Sequence, residues 1–88
     1  MAASEDVRQD LMTALDHALA GRWKDAHDIV QRHEDSPVAC WLHAVLHKIE
    51  GDDDNARYWY AKTYMDYKRF PDPKVELSAI HLELTRKS

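Results

Sequence analysis

The chain is predicted to be all-α, with five helices arranged as two helix–turn–helix hairpins and a C-terminal capping helix. Three observations predict this. Chain breakers are few, with 2 Gly and 3 Pro in 88 residues, where average usage would give roughly 10. Apolar residues recur at three- and four-residue steps, the spacing of one helix face. No strand-length alternation of apolar and polar residues bounded by turn residues is found.

Each element has its own start and stop. Ser4 is placed to cap the first helix, and Val7, Leu11, Ala14, Leu15, Ala18 and Leu19 form its apolar face up to Gly21. The second helix carries Trp23, Ala26, Ile29, Val30 and His33 on one stripe and closes before Asp35. Ser36-Pro37 opens the third, because Ser caps and Pro lacks an N–H where none would be paired. Val38 to Ile49 is apolar almost all round, which marks a central helix. Gly51 ends it. Asp52, Asp53 and Asp54 suit the positive N-terminal end of the fourth helix. That helix is expected to continue through Ala56, Tyr60, Thr63, Tyr64 and Tyr67, with Lys68 and Arg69 at its C-terminal end. Asp72-Pro73 opens the fifth, which has two stripes: Val75, Ala79 and Leu82, and Leu77, Ile80 and Leu84. The last residues, from Thr85, are expected to fray. One domain results, with hairpin 1 over about 5–34, hairpin 2 over about 37–68 and the capping helix over about 73–86.

The sequence repeats itself at an offset of 30 residues. Leu11 to Arg32 aligns with Trp41 to Lys62 without a gap. Ala14 matches Ala44, His17 matches His47, Gly21 matches Gly51 and Ala26 matches Ala56. In each copy, Gly permits the left-handed turn that stops a helix. The following Ala lets the returning helix come close, and Val30 or Tyr60 fills the groove one turn later.

This pattern resembles the tetratricopeptide repeat, carried by Gly51-Asp52, Ala56 and Tyr60 and by Gly21, Ala26 and Val30. The period of 30 departs from that family's usual period of about 34. The stretch His43 to Asp52, followed by Asn55 to Tyr60, is similar to a segment of small bacterial proteins of unassigned function. The repeat resemblance implies a stack of helical hairpins that binds a protein or peptide.

Composition narrows the function classes. Hydrophobic residues make up 44% and charged residues 32%, the profile of a folded, charge-rich domain. The net charge is −4, so nucleic acid is not an expected partner. Residues 1–55 carry a balance of −7 and residues 56–88 of +3, which invites a charged partner or a homodimer. The single Cys40 excludes an intrachain disulfide and suits a reducing, cytoplasmic setting. No secretory signal opens the sequence. The longest apolar run, Pro37 to Ile49, is broken by His43, His47 and Lys48, and a bilayer span needs roughly 20 residues, so no membrane is expected.

Few residues could carry chemistry. His43 and His47 stand four apart, so their rings share a helix face, with Cys40 and Glu50 on the same stripe. Such a pair can ligate a metal if more ligands come from elsewhere, with His17 or His81 as candidates. A hydrolytic zinc helix would need Glu after the first His, where Ala44 stands. The bland reading is polar contacts in a helix interface, and no cofactor is assigned. Asp52 to Asn55 fails as a calcium loop, because Arg57 and Thr63 occupy the places of its Gly and Glu. The aromatic and basic run from Arg57 to Arg69 could stack single strands, but Trp59, Tyr60 and Tyr64 are expected in the core. Cys40 lies in an apolar run and is read as an inert buried thiol.

The reading that follows is a non-catalytic helical-repeat module that binds a protein or peptide. Its candidate contact residues are Arg57, Tyr58, Lys62, Leu77, Ile80 and Leu84, and its packing residues are Gly21, Ala26, Gly51 and Ala56. The alternative is a small metal-binding or enzymatic protein using His43 and His47.

Overall fold

The structure is a computed structural model and describes residues 5–86. The expected Ser4 cap lies outside the described residues; of the residues expected to fray, 87 and 88 also lie outside them, while Thr85 is the last residue of α5. The described residues form five α-helices: α1 (Glu5–Leu19), α2 (Trp23–Val30), α3 (Pro37–Glu50), α4 (Asp53–Tyr60) and α5 (Pro73–Thr85). A 3-10 turn, Gln31–His33, extends α2, and no strand occurs among these residues.

The capping signals act as their chemistry dictates. The Ala39 N–H donates to Ser36 Oγ at 3.3 Å, and Pro37 occupies the first turn of α3. Lys74 N–H donates to Asp72 Oδ1 at 2.9 Å, again with Pro at the helix start. Asp52 accepts from the backbone of Asn55 and from its side chain.

The 30-residue repeat has a geometric counterpart. Gly21 and Gly51 take φ of 82° and 81°. Arg22 N–H reaches back to His17 O at 2.8 Å, and Asp52 N–H reaches His47 O at 2.9 Å. Both are the long bond of a left-handed helix stop. The helices that return, α2 and α4, have eight residues each, and Ala26 and Ala56 are fully buried at the close approach. So α1–α2 and α3–α4 form two hairpins with the same local turn.

α3 is the central element. Every residue from Ala39 to His47 is buried, and α3 touches each of the other four helices. Its Leu42, Val45 and Leu46 meet Leu11 and Leu15 of α1 and Leu77 and Ile80 of α5 in one core.

Two expectations are corrected. α4 ends at Tyr60 and does not run to Tyr67, so Thr63, Tyr64, Tyr67, Lys68 and Arg69 lie in a non-helical segment. Lys48 is the cause. Its ammonium donates to the carbonyls of Tyr67 and Phe70, each at 2.8 Å, which turns them inward and away from a helical ladder. Thr63 reinforces the stop by bonding Tyr60 O and Met65 N–H through its hydroxyl. The second correction concerns α5. Leu77, Ile80 and Leu84 are core residues at 1%, 0% and 4% exposure, so they are not contact residues for a partner or a second copy. The stripe that faces out is Val75 and Leu82, because α5 packs on both α1 and α3.

Candidate functional site

The seam between the two hairpins collects the polar and aromatic groups that packing alone does not explain. α2 of the first hairpin lies against α3 of the second. Trp23, His27 and Val30 are spaced by four and three residues, so His27 shares the face that the buried Ala26 and Val30 press onto α3. It meets His43 and His47 there.

The three rings form a compact group. His27 Nε2 lies 2.7 Å from His43 Nε2. The His47 ring centre is 4.9 Å from that of His27 and 5.0 Å from that of His43. One ring nitrogen from each His can be chosen so that all three lie within 4.8 Å of one another. His43 also stacks on Trp59 of α4, with centres 3.9 Å apart and planes 19° apart.

Burial lowers the pKa of two of these rings. It pushes the His43 imidazole down to about 3, and the neighbouring His27 and His47 push in the same direction. His27 is lowered as well, by burial first and then by His47. A 2.7 Å contact between two neutral rings requires one N–H to face the other's lone pair. His47 is different. Its Nδ1 is buried and has no hydrogen-bond partner. Glu50 Oε2 lies 3.7 Å from it and Asp52 Oδ2 3.9 Å, both beyond hydrogen-bond distance. A shallow groove beside the rings is bordered by Arg22, Trp23, Asp25, His27 and Glu50.

No family model, curated protein or solved structure matches this chain. The site is therefore read from its own chemistry. Three imidazoles at this spacing are the donor set for Zn, Cu, Ni or Fe and do not suit Mg or Ca.

The other sequence candidates fall elsewhere. Cys40 Sγ donates to Glu34 O at 3.2 Å, outside the histidine group, and burial pushes its thiol up and away from reactivity. His17 accepts from Arg22 Nε at 2.9 Å and does not join the cluster, although the repeat makes it equivalent to His47. His81 is exposed on α5. Arg57, Tyr58 and Lys62 are exposed on and just after α4, and Trp59 links them to the seam through its contact with His43. Tyr60 is core, as expected, but Tyr64 is 78% exposed.

Two residues of consequence escaped the sequence reading. His27 was detectable from its spacing with Trp23 and Val30, but its repeat partner is Arg57, so self-comparison did not flag it. Glu76 is fully buried and accepts hydrogen bonds from Trp41 Nε1 at 2.8 Å and Tyr60 Oη at 2.5 Å. Burial first, and then this carboxylate, drive the Tyr60 hydroxyl strongly toward its neutral form. No periodicity marks a single carboxylate in an apolar helix.

Proposed function

We propose that the chain is a non-catalytic helical-hairpin module that binds another protein or peptide along α4 and the segment after it. The observation that carries this reading is an exposed aromatic and cationic cluster. Tyr58 and Tyr64 are 57% and 78% exposed. The Lys62 ammonium lies 5.0 Å from the Tyr58 ring centre and 5.7 Å from that of Trp59. Arg57 sits 4.8 Å over the Tyr67 ring.

Tyr, Trp and Arg dominate interface hot spots, Tyr and Trp through large rigid contact area and Arg through its planar fork of donors. The non-helical turn after Tyr60 leaves a cleft bordered by Arg57, Thr63, Tyr64, Met65 and Lys68. Arg57 and Lys68 outnumber Asp66 among its charged lining residues, which favours an acidic partner segment, in keeping with the +3 balance of residues 56–88. Cys40, held neutral and bonded to a backbone carbonyl, offers no nucleophile, which supports a binding role over a catalytic one.

A photo-crosslinking residue at position 64 tests the reading, with position 13 on exposed α1 as control. A discrete adduct in source cells is expected from 64 alone, and Tyr58→Ala with Lys62→Glu should abolish it. Equal labelling from both positions would remove the reading. Light scattering separates a second copy of the chain from a different partner.

A further inference from the structure

We propose that His27, His43 and His47 bind one transition-metal ion, of the Zn, Cu, Ni or Fe class, at the seam between the hairpins. This stands apart from the partner-binding reading, which uses exposed side chains of α4 and the following segment.

Four features point to the ion. The three histidines come from two hairpins and converge with donor nitrogens within 4.8 Å of one another. Burial keeps His43 and His27 in the neutral form that donates a lone pair. The donors are close enough to converge on one ion with side-chain adjustment: the spread of up to 4.8 Å must tighten by up to about 1.5 Å, while the closest pair must open slightly. Zn–N bonds of about 2.0–2.1 Å place tetrahedral ligand nitrogens about 3.3 Å apart. His27 Nε2 and His43 Nε2, now 2.7 Å apart, need to separate by well under 1 Å.

The fourth feature is the buried, unpartnered Nδ1 of His47, with Glu50 and Asp52 just beyond hydrogen-bond reach. A ligating histidine donates its second ring N–H to a carboxylate in most metal sites. One His47 nitrogen on the ion and the other on Glu50 or Asp52 leaves neither unsatisfied. Three nitrogen donors also leave a position for water or for Glu50, which borders the same groove as His27. The local sequence brings this about: the turn at Gly51 returns Asp52 beside the end of α3, where His47 and Glu50 are one turn apart.

The test uses the full chain without a histidine tag, stripped of metal. Titration with Zn²⁺ alone should give one saturable site per chain and a raised Tm. His27→Gln is the decisive variant, since His27 is only half-buried and its loss spares the core. It should weaken Zn²⁺ by more than the roughly 10–100-fold that changes behind the ligands cost, and Glu50→Gln should fall within that range. His81→Gln and His33→Gln should bind as the wild type does. With Co²⁺, hyperfine-shifted ring protons should come from three histidines. Unchanged Zn²⁺ affinity in His27→Gln, a site lost with His81, or no saturable binding would overturn the proposal and leave the cluster as packing.

Discussion

Lys48 and Glu76 form an ion pair inside the protein. Nζ lies 3.0 Å from Oε1, and the Glu76 side chain has no exposed surface. Each charge is surrounded. Trp41 and Tyr60 donate to Glu76, while Lys48 also donates to two backbone carbonyls. The pair ties α3 to α5 and shapes the segment between α4 and α5.

Breaking that pair from one side should be costly, because the other charge stays buried. Lys48→Met should lower unfolding free energy by about 3–5 kcal/mol. Glu76→Gln should cost less, since the Lys48 ammonium keeps its two carbonyls. The double variant should be less destabilised than the sum of the singles. Urea unfolding measures all three, and strict additivity would mean that the two groups do not share one energetic unit.

The metal-free protein should lose stability on mild acidification. His43 is neutral in the fold with its pKa pushed down to about 3, against 6.5 for the free group. The unfolded chain therefore takes up a proton that the folded chain refuses. The contribution is complete above pH 6.5 and is lost progressively as pH falls toward 3. His27 acts in the same direction. A falling Tm between pH 6.5 and 5, above the range where free carboxylates titrate, is the expected result, and a flat Tm there would contradict the buried neutral ring.

Gly21→Ala and Gly51→Ala should each cost about 1–2 kcal/mol, the penalty of an L-residue in the left-handed region. Nothing lies within 4 Å of where either added Cβ would stand, so the loss is backbone strain alone. Asn at either position should cost less. Denaturant midpoints compare the three.

Ala26→Leu and Ala56→Leu should each cost roughly 1–3 kcal/mol by overpacking the hairpins. Both positions are fully buried. Near-wild-type melting of both variants would mean that the helices do not approach closely at these alanines.

The two stripes of α5 should separate in mutagenesis. Leu77→Ala should cost about 2–5 kcal/mol. Leu82→Glu, at a site 69% exposed, should stay within about 0.5 kcal/mol. Thermal melts decide it, and a reversal would place the wrong face of α5 on the core.

Legibility followed the range of the interactions. Caps at Ser36, Asp52 and Asp72 and stops at Gly21 and Gly51 act within about one helical turn, so residue type and spacing reveal them. The end of α4 was not legible. Lys48 is 19 positions from Tyr67 and 22 from Phe70, and the helix-forming pattern after Tyr60 gives no sign of that ammonium. In the site, His43 and His47 were visible as a spaced pair on one helix, while His27 depended on how one hairpin sits against the other.

The sequence by itself determined an all-helical chain, the two glycine stops and the caps that open α3, α4 and α5, because helix periodicity and capping are local. Only the tertiary structure decided which stripe of α5 is core, where α4 stops, that Glu76 lies buried against Lys48, and that His27 joins His43 and His47. Those outcomes rest on contacts between elements distant in sequence, where desolvation and the pairing of charges select one arrangement among several that the same periodicity allows.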